Sequence, residues 1–184
     1  MMETVNDITV IFLTGLVIKL MDDYLDQEID RMNGRQTLAM RLDRGTLPYA
    51  LILLTFAVLI DYQLTISLFW SSYIVGMGMD TNRLPTGLKS YQEVMIMLIF
   101  GFLVLDYNLF LFSISIITFI QLSDDYIDYY LEEYISRDNF INYLGKVGTI
   151  LLATIALVIA LAIDWQMSVL VVLIANIVVW ILHR

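Results

Sequence analysis

Seven apolar runs, at 8–21, 47–60, 64–79, 94–105, 109–122, 147–163 and 167–182, fill most of this chain and limit what it can become. Most are shorter than the ~20 residues that cross a bilayer core of ~30 Å, so polar flanks must join the helices or the membrane must thin locally. The 184 residues are 59% hydrophobic and 16% charged, whereas a soluble domain is about half apolar and a quarter charged. The reading is an all-α, polytopic transmembrane helical bundle of about seven spans, forming one domain over 1–184. The start, "MMETVND", lacks the basic region of a secretory signal, and the first apolar run is expected to be a retained helix. With no cysteine, disulfides and thiolate metal sites are excluded. A formal charge of −9 argues against nucleic acid, which wants a basic face, and against polybasic docking on anionic lipid.

The connections are of two kinds. Three are tight and chemically alike: "DYQ" at 61–63, "DYN" at 106–108 and "DWQ" at 164–166. Each offers an acid, an interfacial aromatic and an amide, which suits a helical hairpin at a water–lipid boundary. The loops at 22–46, 80–93 and 123–146 are long and polar, and they hold Arg31, Arg35, Arg41, Arg44, Arg83, Lys89, Arg137 and Lys146. With seven spans, Lys19 and Arg184 fall at helix ends on that same side. The positive-inside rule then makes the long loops cytoplasmic and the amino terminus external, in a multi-pass protein of the cell membrane.

A shift of 102 residues superposes the acidic stretches. "DDYLDQEID" from Asp22 lies on "DDYIDYYLE" from Asp124, and after one inserted residue "IDYQLTI" from Ile60 meets "IDWQMSV" from Ile163. Two internal repeats follow, roughly 22–79 and 124–182, each an acidic loop, helix, tight turn and helix. Repeats in membrane folds often place a site at their interface.

Residues four apart share a helix face. Asp22, Asp26 and Asp30 form one stripe with Asp23 at its edge, and Asp124, Asp128 and Glu132 form another beside Asp125. Like charges at this spacing repel, and acids at a membrane edge are costly enough to need a positive partner. Magnesium suits the hard oxygen donors, since it takes one or two carboxylates plus substrate phosphates. Facing clusters built from Asp22, Asp23, Asp26, Asp30, Asp124, Asp125, Asp128 and Glu132 could hold Mg2+ against a diphosphate. Arg35, Arg41, Arg137 and Lys146 could neutralise its oxygens. Zinc is disfavoured because His183, the sole histidine, stands far from either cluster. The plainer reading of a charged run beside a membrane helix is a solvated face. Glu28 and Glu133, which leave the stripes, take that reading. Tyr129 and Tyr130 read as interfacial anchors, and "GMGM" at 76–79 as close helix packing.

"DDYLDQEID" resembles the N-D-x-x-D-x-x-x-D motif of the UbiA superfamily of intramembrane prenyltransferases, with Asp22 in the Asn place. "RMNGRQTLAMRL", from Arg31, resembles the family's D-R-x-x-G-x-x-T-L-x-x-R-L-G continuation, with Asp43 where Gly would stand. "DDYIDYYLEE" is similar to the second motif, with Glu132 for its last Asp. The resemblance implies a Mg-dependent transfer of an isoprenoid group from a prenyl diphosphate to an aromatic or lipid acceptor. Asp23, Asp26, Asp30, Asp125 and Asp128 would be the catalytic, metal- and diphosphate-binding acids, and apolar helix faces would hold the tail. The family bundle has nine helices around a cavity open to lipid, so seven spans are short by one at each end. The second motif also lacks the Gly-x-x-Thr-Leu run, reading "SRDNFINYLG". The alternative is a catalytically degenerate UbiA-like protein acting as a lipid-binding or partner scaffold, in a homo- or hetero-oligomer. A cation pathway is a third class, opposed by the absence of any acid from the centre of an apolar run. A CDP-alcohol transferase is a fourth, but neither cluster has that family's D-x-x-D-G-x-x-A-R core.

Overall fold

The computed structural model describes residues 2–78, 84, 86–136 and 139–182. In chain order the helices are α1 (Met2–Leu25), α2 (Gln27–Met32), α3 (Leu38–Leu42), a 3-10 turn (Asp43–Gly45), α4 (Thr46–Ile60), α5 (Tyr62–Met77), α6 (Ser90–Val104), α7 (Tyr107–Leu131), α8 (Ile141–Ile163) and α9 (Trp165–Leu182). Among the described residues there is no β-strand, so the all-α expectation stands.

Among the described residues, four continuous helical stretches are long and apolar enough to cross a membrane: Leu38–Ile60, Tyr107–Leu131, Ile141–Ile163 and Trp165–Leu182. That is fewer than the seven spans expected from hydropathy. Helix length explains part of the difference. At 1.5 Å per residue, the 16 residues of α5 and the 15 of α6 reach only ~24 Å and ~22 Å, short of a bilayer core. The α1 helix is long, but it carries Lys19, Asp22 and Asp23 toward its carboxyl end.

The three tight connections share a mechanism the sequence only half suggests. Asp61, Asp106 and Asp164 each cap the following helix, their Oδ1 atoms accepting from the N–H of Leu64 (3.0 Å), Leu109 (2.9 Å) and Met167 (2.9 Å). A carboxylate there satisfies an orphan donor and favours the positive end of the helix dipole. One extended residue reverses the chain at Asp61 and at Asp164, and two, Leu105 and Asp106, at the middle turn.

α1 packs against α4, α5 and α9, and α7 packs against α5, α8 and α9. The shared core draws on Val10, Leu20, Leu68, Phe112, Ile116, Leu122, Val171 and Val178. The outer helices bury their small residues, Ala50 and Ala57 on α4 and Ala153, Ala156 and Ala160 on α8. Their large apolar residues point away: Leu59 on α4 is 75% exposed and Val147 on α8 81%. Apolar surface on that scale is foreign to a water-facing monomer. In lipid it is the expected pattern, because small residues let helices approach while large ones meet the tails. Gly101 shows how close that approach is, since a methyl there would overlap the Phe110 ring.

Candidate functional site: opposed acid rows and an arginine cleft

The first acid row was expected on one uninterrupted helix. Instead α1 stops at Leu25, and Asp26 takes φ −91°, ψ 10° before α2 begins. The bend is slight, because Asp26 N–H still bonds Asp22 O and Asp30 N–H still bonds Asp26 O, both at 3.0 Å. Asp23 and Asp30 are buried, while Asp22 is exposed. The second row follows expectation further. Asp124, Asp125 and Asp128 lie within unbroken α7, and Glu132 stands just past its end in extended backbone, φ −101°, ψ 144°.

The rows face each other, and protein cations stand between them. Lys19 Nζ lies 3.0 Å from Asp22 Oδ2, 3.1 Å from Asp23 Oδ1 and 4.0 Å from Asp124 Oδ2. At the other end of the gap, an Arg35 nitrogen is 3.9 Å from Asp128 Oδ1 and another pairs closely with Glu132. Asn33 closes the bridge: its Nδ2 donates to Glu132 Oε2 (3.2 Å) and Tyr134 O (2.8 Å), and its Oδ1 accepts from Tyr134 N–H (2.9 Å). Asp125 is engaged elsewhere, one oxygen accepting from Phe140 N–H at 2.6 Å.

This arrangement bears on the metal. The donors are hard oxygens of the kind Mg2+ prefers. Yet among the described residues no three acidic or histidine side chains gather as a metal-holding group. The gap holds an ammonium and a guanidinium, and one oxygen of Asp125 serves the backbone. The residues present therefore do not fit a resident ion in this arrangement.

In the first row, Asp26 is strongly affected by its surroundings. Burial, with the Asp22 and Asp30 carboxylates adding to it, pushes its carboxyl up to about 7. Burial and the Asp23 carboxylate push Asp30 upward as well. Both carry protons at pH values where an exposed Asp has lost its own.

Beside the first row, Arg31, Gly34, Arg35, Gln36, Met40 and Arg41 line an open cleft of about 430 Å3. The "NGR" turn creates it: Gly34 has φ +72°, a backbone glycine adopts without cost, and lets the chain fold back between Arg31 and Arg35. Of the expected diphosphate ligands, Arg35 and Arg41 are at this cleft. Lys146 is not among its lining residues and stands instead over the rings of Tyr129 (4.4 Å) and Tyr130 (5.0 Å). Arg137 lies outside the described residues. A smaller cavity, about 230 Å3, sits at the opposite end between the 106–108 and 164–166 turns; its one acid, Asp164, caps α9.

The sequence reading placed Lys19 at a helix end and gave Asn33 no role. Nothing in the spacing of either residue announces that it bridges to a segment about a hundred residues away. The "NG" pair signalled the turn, but not its partner.

Comparison with protein-family models, with curated proteins and with solved structures returned no match.

Proposed function

We propose that this chain is an intramembrane prenyltransferase that takes up an isoprenoid diphosphate at its acidic mouth, with the apolar bundle receiving the tail. The single observation that carries the reading is the meeting of two like-spaced acid rows at one end of an apolar bundle, beside three arginines. The rest of the resemblance belongs to the same proposal: seven spans with re-entrant or tilted short helices, two repeats in a UbiA-like arrangement, and a cytoplasmic mouth set by the cation-rich loops.

Mg2+ enters this proposal through donor chemistry alone. An ion would have to displace Lys19 or Arg35 to reach the acids, and no reaction step is assigned to it here. The residues themselves have definable parts. Arg31 and Arg41 would bind phosphate oxygens, Lys19 and Arg35 would hold the two rows at a fixed separation, and the bundle would exclude water from an allylic cation.

Purified protein given Mg2+, a labelled prenyl diphosphate and a panel of aromatic and lipid acceptors is expected to bind the diphosphate and transfer the prenyl group with release of pyrophosphate, and Asp26→Ala or Asp128→Ala to abolish transfer. Unchanged transfer in both variants, or none by the unaltered protein, sinks the reading. A second reading, a lipid-binding or partner scaffold without turnover, is favoured by Lys19 and Arg35 filling the gap. It expects binding with no transfer to any acceptor.

A further inference from the structure

We infer that the cleft formed by Arg31, Arg35 and Arg41 binds a diphosphate group without a divalent ion. The choice of ligand rests on the isoprenoid-diphosphate reading above; the metal independence does not. It follows from how charge is distributed at the mouth. The acids that would recruit a metal already hold Lys19 and Arg35. Among the described residues, no carboxylate lies within ion-pair distance of Arg31 or Arg41. Two guanidinium groups therefore face the cleft with their charge unspent, and a third is anchored at its edge by Asp128 and Glu132.

Planar guanidinium forks match phosphate oxygens in paired hydrogen bonds and keep their charge at any working pH. A cleft of about 430 Å3 falls within the range of small-molecule sites. Gly34, with open space over the position of a would-be Cβ, leaves the cleft's backbone accessible to an anion. The site is also one-sided. Moving 102 residues along the chain from Arg31 and Arg41 reaches Glu133 and Tyr143, so the second acid row has no such pair. One diphosphate per chain is the stoichiometry.

A free diphosphate and the headgroup of an isoprenoid share this chemistry, and the test separates them. The full chain in phosphatidylcholine nanodiscs is titrated calorimetrically with inorganic pyrophosphate, then with a fifteen-carbon prenyl diphosphate, each in EDTA and in Mg2+. Binding in EDTA is expected to stay within about threefold of that in Mg2+. Arg31→Gln and Arg41→Gln are each expected to weaken it about tenfold, the scale of one lost charged hydrogen bond. Arg44→Gln, outside the cleft, is expected to leave it unchanged. Binding that requires Mg2+, or that ignores both cleft variants, overturns the inference while leaving the prenyl reading standing. Pyrophosphate bound as tightly as the prenyl compound, in EDTA and through the same arginines, upholds the inference and removes the prenyl reading. No binding of either compound overturns both.

Discussion

Two stretches of this chain, 37–61 and 139–164, run through the same sequence of local devices. Thr37 caps a short helix through Met40 N–H, and Asn139 accepts from Ile141 N–H. Asp43 and Gly145, 102 residues apart, both have positive φ, +48° and +67°. The closing turns agree within a few degrees: Asp61 at φ −148°, ψ 105° and Asp164 at φ −151°, ψ 101°. Thr65 and Ser168 even donate alike, each 2.6 Å from the capping residue's carbonyl. The acid segments that precede these stretches are not alike. The first breaks at Asp26 while the second runs on to Leu131, and Lys19 of the first corresponds to Gln121 of the second. Devices that shape the backbone recur, whereas the cations that bridge the acid rows come from one side. Lys19 and Arg35 belong to the first acid segment and serve acids of both.

The largest expected effect tests that asymmetry. Lys19→Met leaves Asp23, 3% exposed, without its ammonium, and losing one partner of a buried pair costs about 3–5 kcal/mol. Gln121→Met removes one long hydrogen bond, 3.4 Å to Ser72 O, and is expected to cost about 1 kcal/mol or less. Denaturant unfolding in detergent measures both, and equal losses would break the comparison. Next come the two positive-φ positions. Gly145, at φ 67°, ψ 167°, occupies backbone that glycine alone tolerates, so Gly145→Ala is expected to lose about 1–3 kcal/mol. Asp43, at φ 48°, ψ −120°, holds strained backbone with a side chain attached, and Asp43→Gly is expected to gain about 1 kcal/mol. Destabilisation by both changes would separate the stretches.

Smaller again are the turn caps. Asp61→Ala and Asp164→Ala are each expected to cost about 1 kcal/mol, and to match each other. The least is a pH effect in the first acid row. Folded Asp26 holds its proton up to about 7 against an ordinary value of 3.8, so the folded state binds that proton more tightly than the unfolded chain does. Its contribution to stability is full below the ordinary value and is lost as pH rises through about 7. Asp26→Asn is thus expected to melt higher than the unaltered protein at pH 8 and to lose that advantage at pH 5.

Much of the local structure was legible because its causes are local. The three acid-aromatic-amide turns fall where the chain reverses, and helix boundaries near 46, 60 and 163 follow apolar runs and caps. The helix lengths were not legible, since hydropathy marks an apolar run without fixing how long its helix grows. α7 extends nine residues past its apolar run, through the second acid row, while α5 ends after 16 residues. The site was half legible. Spacing brought the acids together in pairs, but Lys19 and Asn33 take their roles from contacts across the bundle, which no periodicity records. Asp43 had stood out as a side chain in a glycine place, and its backbone shows why glycine would suit it.

The central claim is that the two acid rows face each other across one mouth. The chain has no cysteine, so Asn33→Cys with Tyr134→Cys, at the paired hydrogen bonds between these residues, makes a clean probe. In lipid, a short bifunctional thiol reagent is expected to join the two within one chain, while Asn33→Cys with Tyr107→Cys, at the opposite end, stays unlinked. No link at the mouth, or equal linking of both pairs, would contradict it.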